Sequence, residues 1–115
     1  PLTSFAVVYK GNAVGGIGLV LKSDVFRKNA EIGYWIGEKY WNKGIATTAL
    51  KMMVNYAFET FDIHRIYANV FESNIASKKV LKKCGFSQEA HLKKLVIKNI
   101  QVLDCYIYSI LKPGV

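Results

Sequence analysis

Between residues 30 and 71 the apolar side chains change their spacing twice, and no other feature of the chain restricts the fold as much. Ala30 to Gly37 reads as a strand. Ala46, Ala49, Leu50, Met53, Ala57, Phe58 and Phe61 then recur at three-and-four spacing, the mark of an amphipathic helix with one face on a sheet. Asp62-Ile63-His64 breaks that pattern. From Arg65 to Phe71, Ile66, Ala68 and Val70 alternate with Tyr67, Asn69 and Phe71, which is strand periodicity. Strand, helix and strand make a βαβ unit, so the two strands should run parallel or nearly so with a right-handed crossover.

The flanking segments read as antiparallel. Ser4 to Lys10 and Ala13 to Leu21 form two strands around a Gly11-Asn12 turn. Residues 22–29 are polar enough for a loop. After residue 71, Ser73-Asn74 offers a helix cap, and Ala76, Val80, Leu81 and Cys84 form a second apolar stripe. Gly85-Phe86 reads as its C-terminal stop with an apolar clamp. Strands follow at about 87–97 and 102–111. Their connection, Lys98-Asn99-Ile100-Gln101, is unusual, because a tight hairpin favours Asn-Gly and isoleucine suits positive φ poorly. The expected fold is α+β: one mixed, mostly antiparallel sheet, with the two helices on one face or one on each.

Composition narrows the classes. The 115 residues are 51% hydrophobic, enough for the core of a single domain spanning 1–115. No apolar run is long enough to span a bilayer and no signal-peptide pattern opens the chain, so no membrane partner is expected. Cys84 and Cys105 lack metal-ligand spacing, and His64 and His91 have no partners at zinc spacing, so no metal site is expected. Two reduced thiols suit a cytoplasmic protein. Sixteen Lys and Arg against eight Asp and Glu leave a formal charge of +8, which favours an anionic partner. Direct nucleic-acid binding would rest on that charge alone, since no helix-turn-helix or aromatic RNA-binding motif is present. Lys78, Lys79, Lys82 and Lys83 fall on neighbouring turns of one helix, either as a solvated face or as phosphate contacts.

The connection Asn42-Lys43-Gly44-Ile45-Ala46 leads from strand into helix. The first four N–H groups of a helix lack intrahelical acceptors, and the dipole adds positive charge there. Phosphates bind such ends readily. At Gly44 and Ala46 a bulky side chain would hold a pyrophosphate away from the backbone. Thr47 could add a hydroxyl and Lys43 a charge at the rim.

Two motifs in order carry a resemblance to a known family. The first is Ala30-Glu31-Ile32-Gly33-Tyr34-Trp35-Ile36, continued by Tyr40-Trp41-Asn42-Lys43-Gly44-Ile45-Ala46-Thr47. The second is Asn74-x-x-Ser77 with Val80-Leu81-Lys82-Lys83-Cys84-Gly85-Phe86, and the closing VLDCYIYSIL, with Asp104, is also similar. The chain resembles the GNAT superfamily of acyl-CoA-dependent N-acetyltransferases, most closely its RimJ/RimL-like branch. It looks N-terminally short, without the first strand and helices with which such proteins usually begin.

The resemblance implies a splay between strands 30–37 and 65–71 that receives acetyl-CoA as cosubstrate. Main-chain groups near Ile36 would hold the pantetheine arm. The pyrophosphate would lie on Lys43, Gly44, Ile45, Ala46 and Thr47, with Asn74 touching cofactor or capping its helix. Glu31 is the implied base, or else an exposed or ion-paired strand carboxylate. The acid that many RimL-like enzymes carry near the penultimate strand is missing from Lys94-Leu95-Val96-Ile97. Leu81 stands where many members place a tyrosine, so Ser77 is the implied donor to the departing sulfur. Trp41 replaces the Gln or Arg frequent at the head of the pyrophosphate motif.

The acceptor would be a primary amine, with the enzyme a monomer or homodimer. A lysine-like amine loses its proton at pH 7 at a cost of about 4.6 kcal/mol, an α-amine at about 1 kcal/mol. A protein N-terminus therefore needs a strong base least. A small amine (polyamine, amino sugar or antibiotic) and a non-catalytic CoA-binding module are the alternatives.

Overall fold

A computed structural model describes all residues, 1–115. In chain order the elements are β1 (Ser4–Tyr9), β2 (Asn12–Leu21), β3 (Asn29–Ile36), α1 (Ile45–Thr60), β4 (Arg65–Phe71), α2 (Ile75–Lys83), β5 (Ser87–Lys98) and β6 (Gln101–Leu111). Short 3₁₀ turns at Asp24–Phe26 and Glu38–Tyr40 occupy the connections around β3. The strands form one sheet in the order β1-β2-β3-β4-β6-β5, in which β3 and β4 pair parallel and every other neighbour pairs antiparallel. This is the mixed α+β sheet that the changing periodicity requires.

Alternation along the strands decides which face is covered. Ala30 and Ile32 of β3, Ile66, Ala68 and Val70 of β4, and Tyr108 of β6 join Leu50, Met53, Val54 and Ala57 of α1 and Leu81 of α2 in one buried cluster. Both helices therefore lie on the same face. The opposite face carries Glu31, Arg65, Tyr67 and Asn69 and has no helix against it. The resulting two-layer body measures 40 × 39 × 22 Å. The second helix ends as its sequence suggests: Gly85 takes φ +89°, its N–H and that of Phe86 bond back to Lys82 and Leu81, and Phe86 is buried.

Two turns depart from expectation. The first hairpin turns at Lys10-Gly11 (φ +49° and +80°), while Asn12 already pairs with Tyr9. The last hairpin does close through Asn99-Ile100, at φ +50° and +58°, with the isoleucine side chain wholly in solvent. Strand pairing on both sides holds this β-branched residue in the left-handed region.

Candidate active site

The parallel pairing of β3 and β4 is short. It comprises Asn29 with Arg65, Ala30 with Ile66 and Glu31 with Tyr67, and then stops. Beyond Glu31 each strand continues with only its outer neighbour. Lys22 N–H donates to Asn29 O (3.1 Å) and Gly37 N–H to Val14 O (2.8 Å), which marks the odd-numbered residues of β3 as those bonded to β2. Tyr34 and Ile36 therefore turn their main-chain groups toward β4, across a gap. By the same rule the bonds from Lys112 to His64 and from Glu72 to Asp104 turn Asn69 of β4 toward that gap. One of these groups is engaged: the Trp41 indole N–H donates to Ile36 O at 2.7 Å, leaving the Ile36 N–H for a ligand. Sequence reasoning missed this clamp, which ties the strand's end to the turn that follows it.

That turn opens α1. Gly44 is the N-cap at φ +75°, ψ +4°, and no side chain caps the helix. Its carbonyl accepts the first helical bond, from Thr48 N–H at 3.1 Å. The N–H groups of Ile45, Ala46 and Thr47 thus have no acceptor within the chain. A Cβ built on Gly44 meets nothing within 4 Å, so the space before these donors is open. Such a cradle suits a diphosphate. Lys43 is exposed at its rim, Ala46 and Thr47 are half-buried, and the Ile45 side chain belongs to the core, so only its N–H can serve. By contrast α2 is closed at its start, where Asn74 Oδ1 accepts from Ser77 N–H at 3.1 Å. Asn74 is thus a helix cap.

The remaining residues separate by face. Glu31 ends the paired stretch on the uncovered face. It accepts from Asn69 Nδ2 at 3.0 Å, and Lys22 Nζ lies 3.4 Å away. Tyr67 and then Glu31 push the Lys22 ammonium up from its ordinary value. Nearby, Arg65 joins Glu89, which also accepts from Ser109 Oγ at 2.7 Å. Those bonds, Arg65 first, hold the Glu89 carboxyl below the usual carboxylate range.

Ser77 lies on the helix-covered face. Its Oγ is 3.0 Å from the hydroxyl of Tyr34, a residue that sequence reasoning quoted but gave no role. Burial pushes the Tyr34 phenol up, opposed by its bond with Ser77. Leu81, at the alternative donor position, is fully buried in the core. The four lysines of α2 divide. Lys78 sits 4.0 Å over the Tyr106 ring and bonds Glu72 O, whereas Lys79, Lys82 and Lys83 are exposed without an ion pair. Asp104 accepts from Lys94 N–H and His91, and so holds the irregular stretch of β5. Both cysteines are free thiols.

A separate groove of about 610 Å³ runs between β1 and α1, lined mostly by apolar side chains such as Phe5, Met52 and Tyr56. It touches the turn only at Lys43, Gly44 and Ile45 and contains neither Glu31 nor Ser77.

Residues 2–87 match the family model of the acetyltransferase (GNAT) domain. The chain belongs to the GNAT acetyltransferase family. It is 37% identical over 100 residues to the uncharacterized N-acetyltransferase YoaA of Bacillus subtilis, covering 87% of this chain and 56% of that protein. It is 32% identical over 100 residues to the [ribosomal protein uS5]-alanine N-acetyltransferase of Escherichia coli, covering 84% and 52%. Among solved structures, a mutant of the spermidine N-acetyltransferase SpeG from Vibrio cholerae superposes with a TM-score of 0.85 at 27% identity, over 94% of this chain and 64% of that one. The chain spans about half the length of the curated relatives it matches. GNAT enzymes use acetyl-CoA and an amine acceptor. No helix is long and apolar enough to cross a membrane.

Proposed function

We propose that this chain carries the transfer site of a cytoplasmic, RimJ/RimL-like N-acetyltransferase that moves an acetyl group from acetyl-CoA to the α-amine of a protein N-terminus. The observation that carries this reading is the gap between β3 and β4, which opens directly after Glu31 and lies beside the uncapped start of α1. Acetyl-CoA, when bound, supplies an activated acyl carbon and a thiolate leaving group.

The chain's residues divide the work. N–H groups of Ile45, Ala46 and Thr47 hold the diphosphate, and Lys43 adds charge at the rim. The Ile36 N–H aligns the arm along β3 as a further strand would. Glu31 faces the uncovered side, where it takes a proton from the incoming ammonium, directly or through water. Ser77 faces the covered side, where its hydroxyl donates to sulfur as charge develops there. Asn74 fixes Ser77 by capping the helix beneath it.

A polyamine is the second reading, favoured by the likeness to SpeG. Charge around Glu31 argues against it. Lys22 is already paired with that carboxylate, and Arg65 stands over the Tyr67 ring at 4.7 Å on the same face. With Glu31 already paired to Lys22, and Glu89 to Arg65, neither carboxylate is left free to attract a polycation. A peptide N-terminus brings one positive charge, with carbonyls that Asn69 and Tyr67 can meet. The test is turnover of acetyl-CoA by the full-length protein against N-terminal peptides, spermidine and aminoglycosides. Peptide acetylation at the α-amine is expected. Faster turnover of spermidine would replace this acceptor with the alternative, and no turnover with any amine would remove the enzymatic reading.

A further inference from the structure

The Tyr34–Ser77 pair joins elements that share no strand pairing. Tyr34 lies on β3 beyond the last β3–β4 pair, and Ser77 lies in the first turns of α2. Their hydroxyls, 3.0 Å apart, bridge the gap on its helix-covered side. The Ser77 backbone is pinned independently by its N–H bond to Asn74. Its side chain thus has one protein partner, and that partner is a phenol.

From this geometry we infer that Tyr34 is a positioning residue for thiolate departure, acting through Ser77; the inference rests on the acetyl-transfer reading above. A serine hydroxyl can accept one hydrogen bond while donating another. With Tyr34 O–H donating to Ser77 Oγ, the serine proton is directed away from the tyrosine and is free for the sulfur. Each bond in such a chain polarises the next, so Ser77 becomes a stronger donor than an isolated serine. Burial keeps the phenol protonated, so it remains a donor across the physiological range. As the C–S bond breaks and its electron pair settles on sulfur, Ser77 donates to that sulfur and Tyr34 donates to Ser77. The amine's proton leaves on the Glu31 side, and the thiolate is protonated from solvent, so neither hydroxyl is consumed.

The test measures the thiol of bound coenzyme A directly, by its thiolate absorbance against pH, in the full-length protein. Stabilised thiolate means a bound thiol pKa below that of free coenzyme A. Tyr34→Phe, which keeps the ring, should raise the bound thiol pKa by roughly half to one unit, the span of one net hydrogen bond. In the Ser77→Ala background the same change should do nothing further. Turnover should fall roughly 3- to 10-fold in Tyr34→Phe, with the acetyl-CoA KM unchanged. A thiol pKa indifferent to Tyr34→Phe overturns the proposal even if acetyl transfer proceeds. So does an equal shift with and without Ser77, which would show tyrosine acting by another route. Coenzyme A failing to bind the unaltered protein overturns this inference and the functional reading together.

Discussion

Gly44 offers a perturbation in which backbone strain and steric approach can be separated. At φ +75° an alanine pays about 1–2 kcal/mol for the left-handed conformation. No neighbour adds a clash, because the space around a Cβ at this position is empty. With an unfolding entropy of about 2.1 cal/mol/K per residue over 115 residues, that penalty lowers Tm by about 4–8 °C. Asparagine tolerates the left-handed region, so Gly44→Asn should cost about half as much or less. Its side chain is larger, however, and reaches further into the space before the Ile45, Ala46 and Thr47 donors. Losing one charge-assisted bond to phosphate costs about 1.5–3 kcal/mol, which is a roughly 10- to 150-fold loss of affinity. Calorimetric titration with coenzyme A, beside thermal melts, reads both effects. The expected order is opposite in the two assays: alanine is worse for stability and asparagine is worse for binding. Unchanged affinity in both variants would refute the cradle. Affinity that simply follows stability would show that the turn's shape matters and close approach does not.

Two further outcomes follow from the hairpin and the uncovered face. Ile100→Gly should raise thermal stability by about 0.5–1 kcal/mol, since it relieves a β-branched residue at φ +58° and restores the preferred Asn-Gly turn, less the entropy glycine costs; a lower melting temperature would contradict it. Glu89 has a carboxyl pKa lowered by Arg65 and Ser109, so its contribution is present above the usual carboxylate range and is lost as pH falls through its depressed value. Acid titration of Glu89→Gln should therefore show a smaller fall in stability below that range than the parent, and identical acid profiles would show that the pairing with Arg65 contributes nothing.

Local physics made much of the architecture legible. The period shift between residues 30 and 71 located β3, α1 and β4 to within a residue, because both strands bury one face and the helix one stripe. Glycine signals located the end of α2. The choice between helices on one face or two was not legible, because an amphipathic stripe records that a helix is covered and not from which side. The break in β3–β4 pairing after Glu31 likewise left no mark, since Ile32, Tyr34 and Ile36 keep the alternation of a paired strand. Chemistry followed the same division. The uncapped start of α1 could be read from adjacent residues, whereas Tyr34 meets Ser77 across 43 positions, beyond any local pattern. Trp41 looked like a departure from a motif, and its indole instead anchors the strand end.

Because Glu31 and Ser77 occupy opposite sides of one sheet, the proposed transfer reading gives the seam between β3 and β4 two separate approaches. On the proposed reading, an acyl donor lying along the seam with its sulfur toward Ser77 would leave the Glu31 side clear, so neither reactant would have to depart before its counterpart arrives. On that reading both would be present at once, with no acyl group carried on the protein. Initial-rate plots that intersect, rather than run parallel, are the kinetic signature of that layout.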